Sequence, residues 1–504
     1  MKRAFGLLFF LLIGAIAFQG FQCSSRELTT AKVAFANKDY DKAIDFAQQE
    51  ITKNPGNGEA YMLIADAYLM KGNVKLAAEN AMKADKVIDN KNPQLAQRPK
   101  MLLNKIWIES YNNGVDNFNK YFTTKNKKFL DSAINYFDIG KMVRPEMLDF
   151  YSLSGQALEL RGDSIAAKAE YLAYVDKAKK DIDVLQQNEF YLGISRGDVL
   201  RKLGKPVLTQ PISGLQGDSL LTDLYQVNGK DLYIFYKDNK KDLNFKLEGV
   251  RYDPPANWLP SEQSQWTTFN TNPIAALAQM NYSKQKYQDA LNYIKMLGIL
   301  DPTNENVNAF MVQIYQDMGQ MDQAYSYIKE LIKNYPKNVT YLVQLGDLYQ
   351  IDKKYDDAIS YYQKALSIDP TNVAAIRNIA SAYKNKASVK QNEIKLKLDQ
   401  DKNYKPNPEE YFPELKESAK YFEQASKTEK YKNDYKVYAE LANIYFVLDE
   451  KSKLNDAVSK LESLESYVPD EEKQYYYLEL VKAYSQYIKN SEKMKYYQEK
   501  LQNK

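Results

Sequence analysis

The 504-residue sequence has no histidine, one cysteine and three tryptophans. Without histidine there is no Ser-His-Asp triad, no HExxH zinc site and no imidazole general base. A single cysteine cannot close an intramolecular disulfide or supply a thiolate metal cage. Glycine and proline number only 20 and 17, which disfavours sandwiches and linkers and favours long helices. An excess of one charge is missing too. The 69 Lys+Arg and 65 Asp+Glu leave a formal +4 without a dominant block, which makes nucleic acid a poor partner. No phosphate loop or dinucleotide glycine pattern occurs, and the abundant paired carboxylates are those any exposed helix carries. The expectation is a chain that is not an enzyme, with no cofactor, no metal, no nucleic-acid partner and no small-molecule substrate. What is plentiful is tyrosine, at 42 residues, in a chain with room for roughly three domains.

The start of the chain has its own pattern. Met1-Lys2-Arg3 precedes the apolar run AFGLLFFLLIGAIAF, which is short for a membrane span and reads as an export signal over residues 1–22. The only cysteine, Cys23, follows at once in GFQCSS, and this placement resembles the lipid-attachment cysteine of bacterial lipoproteins. The match departs from that family at Gly20, where an aliphatic residue is usual, and at Gln22, where a small one is. Cleavage after Ala15-Ile16-Ala17 would instead release a soluble periplasmic protein, and a retained signal helix is a third outcome. The resemblance implies a lipid anchor on Cys23, firm because each buried methylene adds about 0.8 kcal/mol.

A repeat dominates the rest. In YLVQLGDLYQIDKKYDDAISYYQKALSIDPTN, residues 341–372, Leu342, Leu345, Gly346 and Tyr349 form one helical stripe and Ala358, Tyr362 and Ala365 a second, before Asp369-Pro370 ends it. Thirty-four residues earlier the same places hold Met311, Val312, Tyr315, Ala324, Ile328, Leu331 and Pro336, and thirty-four before that Leu277, Ala278, Ala290, Ile294, Leu297 and Pro302. The same phase recurs from Ala31 to Tyr174 and, more loosely, from Ile376 to the end. This fixed spacing of small, aromatic and proline places resembles the tetratricopeptide repeat family and covers about four fifths of the chain. It implies a mainly α fold, a tetratricopeptide-repeat α-solenoid in two arrays. The N-terminal array is expected at 23–187 with about four repeats, and the C-terminal one at 271–504 with about five to six and a polar insert at 385–412.

Such repeats imply binding. One helix pair cannot bury its own apolar stripe, so neighbours stack and their first helices line a groove. In the family, groove-facing places lie four and then three residues apart on each first helix, which assigns Gln279 and Tyr282; Gln313 and Gln316; Asp347 and Gln350; and Arg377, Ser381 and Lys384. Solvated polar residues would read the same way. The lysine and asparagine clamp by which some members hold a carboxylate terminus does not recur, so such a peptide is not implied.

Residues 188–255 interrupt the repeat. In GISRGDVLRKLGKP, Ser195 and Asp198 have capping-box spacing, Ile194 and Val199 suit a hydrophobic staple, and Gly204 and Pro206 end a helix of about two turns. Asn228-Gly229 then separates two alternating apolar runs, the signature of a hairpin, and LNFKLEGVRYD reads as a further strand. The order resembles the SmpA/OmlA family, lipoprotein accessories of outer-membrane β-barrel assembly, through Gly193, Ser195, Asp198, Val199, Leu203, Gly204 and Pro206. The resemblance implies a small protein-binding α+β module; a generic scaffold insert fits the same residues. A linker, 256–270, is expected to return to the repeats, with Trp258 and Trp266 pinning it. Trp107 is expected in a core, and Tyr475-Tyr476-Tyr477, which would also suit an aromatic binding platform, as a core stripe with one ring reaching solvent. The expected function is a protein-interaction scaffold, exported to the cell envelope, lipid-anchored on the periplasmic side of the outer membrane and bound to other envelope proteins or peptides. The alternative is a carbohydrate-binding protein or accessory subunit of an envelope enzyme.

Overall fold

A computed structural model describes residues 25–88, 93–213, 219–238, 244–254 and 269–502. The export signal, Cys23, Trp258 and Trp266 lie outside these residues. The chain divides into two compact units, Met1–Thr303 and Asn304–Lys504.

In the first unit the described helices come in antiparallel pairs: α1 (Arg26–Ala36) with α2 (Tyr40–Lys53), α3 (Gly58–Met70) with α4 (Val74–Val87), α5 (Pro93–Thr124) with α6 (Lys128–Val143), and α7 (Leu148–Arg161) with α8 (Ser164–Gln187). Ala31, Ala43, Ala47, Ala60, Ala65, Ala77, Ala81 and Ala84 are all fully buried, which is why the early repeats are alanine-rich: a methyl group lets two helix backbones approach closely. Trp107 on α5 is buried, its ring edge-on to Phe150 at 6.4 Å. Ser25 caps α1 by accepting the Leu28 N–H at 3.1 Å, and its hydroxyl donates to the buried carboxylate of Glu50. Glu50 also accepts from Asn57 Nδ2 at 2.7 Å, so Ser25 is held in the first helix pair.

After α8 comes the module. Ser195 caps α9 (Arg196–Leu203), accepting the Asp198 N–H at 3.1 Å and donating its hydroxyl to the Asp198 carboxylate. Four strands, β1 (Leu208–Ser213), β2 (Ser219–Val227), β3 (Lys230–Asp238) and β4 (Lys246–Tyr252), form an antiparallel sheet in the order β1-β2-β3-β4. The β2–β3 turn places Asn228 and Gly229 at φ of 53° and 74°, a conformation glycine and asparagine adopt most easily. The periodicity of the sequence does not announce β1, because Pro211 lies within it; a proline is tolerated there because β1 is an edge strand. The other edge is covered by the chain itself, with Gly193 N–H bonded to Leu247 O at 2.8 Å and Arg196 N–H to Phe245 O at 2.9 Å.

The module is bolted to the helices. Asp181 of α8 is fully buried, accepts the Tyr252 N–H at 2.7 Å and lies 3.2 Å from the Arg251 guanidinium. Burial dominates and pushes the Asp181 carboxyl up to about 6, against the pull of Arg251. The next pair, α10 (Asn272–Tyr282) and α11 (Tyr287–Leu300), packs on α8 and belongs to this unit. The sequence groups residues 271–300 with the later array; in the structure the first stack resumes beyond the module.

The second unit contains α12 (Glu305–Asp317) with α13 (Met321–Asn334), α14 (Val339–Ile351) with α15 (Tyr355–Ile368), α16 (Val373–Gln400) with α17 (Phe412–Ser426), α18 (Tyr435–Val447) with α19 (Lys451–Glu462), and α20 (Lys473–Lys482) followed by α21 (Ser491–Gln502). Asn304, Asn338 and Asn372 cap α12, α14 and α16, accepting the N–H three residues on at 3.2, 3.2 and 3.0 Å. The insert expected at 385–412 as a polar excursion is largely helix. Its first part continues α16 to 28 residues, because no proline or glycine intervenes before Pro406, and Ala387 and Ile394, a heptad apart, are buried.

Candidate functional site: a cleft lined by three first helices

Between α16, α18 and α20 lies an open cleft of about 430 Å³. Lys384 comes from α16; Lys436, Glu440 and Asn443 from α18; Tyr475, Glu479 and Lys482 from α20; Glu472 stands just before α20. Helical geometry explains the grouping, since residues separated by four and then three share one face. The sets 377/381/384, 436/440/443 and 475/479/482 all have that spacing. Between the walls Ala439 leaves room that a larger side chain would fill.

Charge in the cleft is balanced locally. Lys384 pairs with Glu440, Lys436 with Glu472 at 2.9 Å, and Lys482 with Glu479 at 3.6 Å. Burial draws the Lys482 ammonium down, but the Tyr487 hydroxyl and the Glu479 and Glu440 carboxylates outweigh it, so its pKa rises. Burial, helped by Glu472, pushes the Tyr435 hydroxyl up to about 12, so it stays neutral. Asn443 Nδ2 donates to Tyr487 Oη at 2.8 Å, and the Tyr487 ring stacks on Phe446 at 4.6 Å. Tyr476 and Tyr477 are turned into the core, whereas Tyr475 is 65% exposed and lines the cleft.

The residues assigned to a groove from sequence are distributed differently. Only Lys384 lines this cleft. Gln279, exposed, and Tyr282, whose ring lies 5.6 Å from Tyr287, belong to the first unit. Gln313 is exposed and donates to Asp317 at 3.1 Å, and Gln316 is half-buried. Asp347, assigned to a groove-facing place, is half-buried. Its carboxylate accepts from Tyr362 Oη at 2.6 Å and Asn378 Nδ2 at 2.8 Å, so it ties α14 to α15 and to the next repeat. Gln350 accepts from Tyr362 Oη at 3.3 Å, in the same seam. Arg377 is half-buried and its carbonyl accepts from Ser381 Oγ at 3.2 Å. Sequence reasoning missed Lys436, Glu440, Asn443, Glu472, Glu479 and Lys482, and singled out Tyr475 only within the Tyr475-Tyr476-Tyr477 run. The signal was available in the four-then-three spacing, had it been carried past Lys384 into the looser repeats.

In the module, Ile194 and Val199 are buried, Ser195, Asp198, Leu203 and Pro206 are half-buried, and Gly193 and Gly204 are exposed at φ of 88° and 76°. Arg196, outside the motif, carries the main polar lock. It donates to both oxygens of the fully buried Asp223, at 2.7 and 3.0 Å, and Thr209 Oγ1 donates to the same carboxylate at 2.6 Å. Among the described residues no group of three or more Cys, Asp or Glu is disposed to hold a metal, and no helix is long and apolar enough to cross a membrane.

Three segments match the tetratricopeptide repeat family: residues 28–90, 307–338 and 339–372. The chain therefore carries tetratricopeptide repeats in both units, and proteins with such repeats bind other proteins or peptides. Among solved structures it is similar to human IFIT1, crystallised as a dimer with m7Gppp-AAAA, at 15% identity over 92% of this chain and 81% of that one, with a TM-score of 0.36. It is similar to yeast Tom70 at 12% identity over 95% and 92% of the two chains, with a TM-score of 0.34. It is similar to MamA of Desulfovibrio magneticus RS-1 at 13% identity over 39% and 96%, with a TM-score of 0.29. No curated protein matches the chain.

Proposed function

We propose that the protein is a non-enzymatic scaffold of the bacterial cell envelope. It is exported by its N-terminal signal, anchored by acyl chains on Cys23, and engaged with envelope proteins that build the outer membrane or surface structures. The observation that carries the reading is the tetratricopeptide repeats in both units. Support for the envelope comes from the single cysteine after an apolar leader and from the resemblance of residues 193–206 to the SmpA/OmlA motif. Metabolic labelling with an alkynyl fatty acid tests the anchor: wild type should label and sediment with membranes, while Cys23→Ala should do neither. A wild type that does not label, or a Cys23→Ala variant that labels as strongly, would overturn lipidation at Cys23, and a variant that loses the label but stays fully membrane-bound would overturn the acyl chains as the anchor. A photo-crosslinking residue at Gln279 or Gln313 should capture an envelope protein in living cells, and capture of cytoplasmic proteins alone would overturn the envelope scaffold.

A further inference from the structure

We propose that the cleft between α16, α18 and α20 is a binding site for a neutral oligosaccharide. The inference goes beyond the scaffold reading and does not depend on it. Charge supplies the first reason. Three lysines and three glutamates line the cleft, each lysine beside a glutamate, so the site has no net sign to attract an anion or a cation. A charged ligand would gain one set of partners and face the other, and exchanging one solvated ion pair for another gains little. A polyhydroxyl ligand suits such a site. Each hydroxyl donates to a carboxylate and accepts from an ammonium, and it leaves the resident pairs in place.

The second reason is Tyr475. The two tyrosines that follow it, Tyr476 and Tyr477, are buried, at 0% and 4%, while its own ring is 65% exposed on the cleft wall. Among the described residues it has no hydrogen bond and no ring partner, and nothing in the fold uses it. A rigid amphipathic ring at the edge of a polar cleft offers a flat apolar face to the C–H side of a pyranose, at low entropic cost because few side-chain torsions must be fixed. Ala439 provides the depth, and Asn443, oriented by Tyr487, a further polar edge.

The test uses the full chain on an array of neutral hexose and N-acetylhexosamine oligomers, with oligouronates and a peptide of alternating Lys and Glu as charged probes. The strongest neutral ligand is then titrated by calorimetry. Neutral oligomers should be retained and charged probes not. Tyr475→Ala should weaken binding by about tenfold or more with an unchanged melting temperature, as expected when an exposed contact anchor is removed. Tyr467→Ala, which removes an equally exposed tyrosine outside the cleft (60% exposed), should leave binding intact. Retention of no neutral oligomer, tighter binding of a charged probe, or equal losses from the two tyrosine variants would each overturn the proposal.

Discussion

At the residue scale, the repeats are held by close approach between a small residue on one helix and an aromatic ring on the next. A Cβ built on Gly346 would meet the Tyr362 ring at 2.5 Å, and one on Gly155 would meet Tyr171 at 2.3 Å, over the same sixteen-residue separation. Gly346→Ala should therefore destabilise the second unit by about 1–3 kcal/mol, seen as a lower denaturation midpoint at unchanged slope. Asp347→Ala should also destabilise it, by about 1–3 kcal/mol, since it strands the Tyr362 hydroxyl and Asn378 amide. Asp181 gives a pH signature. Its carboxyl is raised from 3.8 to about 6 in the fold, so its contribution is full below about pH 4 and is lost as pH rises through 6. Asp181→Asn cannot titrate, so its stability relative to wild type should improve by up to about 3 kcal/mol between pH 4 and pH 7. A gap independent of pH would show that Asp181 titrates normally.

At the element scale, the turns inside the helix pairs share a backbone requirement. Within three residues of the end of the first helix, Lys38, Gly72, Lys125, Gly162, Gln285, Gly319, Lys353 and Asp449 adopt a left-handed conformation, with φ between 55° and 101°. Glycine meets this demand without strain, whereas lysine at Lys353 costs about 1 kcal/mol. Lys353→Gly should then stabilise the second unit by several tenths of a kcal/mol, readable as a small rise in melting temperature. Helix pairs were legible in the sequence because burying a stripe leaves a 3.6-residue period, and the Asn228-Gly229 hairpin because few residues accept its dihedrals. Three features were not. Pro211 disguised β1, polar residues disguised the extension of α16, whose inward places are only Ala387 and Ile394, and the cleft is built from ordinary lysines and glutamates whose meaning lies in spacing across three helices. Gly346 and Tyr362 were legible as packing residues, whereas the seam bonds of Asp347 were not, because sequence does not distinguish a solvated carboxylate from one bonded across a repeat seam.

At the scale of the whole molecule, the α+β module is part of the first unit's packing. Its strand β4 meets α8 through Asp181, and the stack continues directly from α8 to α10 and α11. Deleting residues 188–255 with a flexible bridge would leave the buried Asp181 of α8 without Arg251 and the Tyr252 N–H. The expected outcome is a lower unfolding temperature and a loss of helical ellipticity larger than α9 alone accounts for. Retention of the original melting curve would show the module to be an independent passenger.

The Ser25–Glu50 clamp bears on how such a molecule would live at a membrane. Ser25 is already locked into the first helix pair, two residues beyond Cys23, and two extended residues reach only about 7 Å. On the lipid-anchored reading the protein has no leash. It cannot sweep out a volume of the surrounding fluid; its first repeat rides against the headgroups, its search for partners is confined to the plane of the bilayer, and its range is set by lipid diffusion.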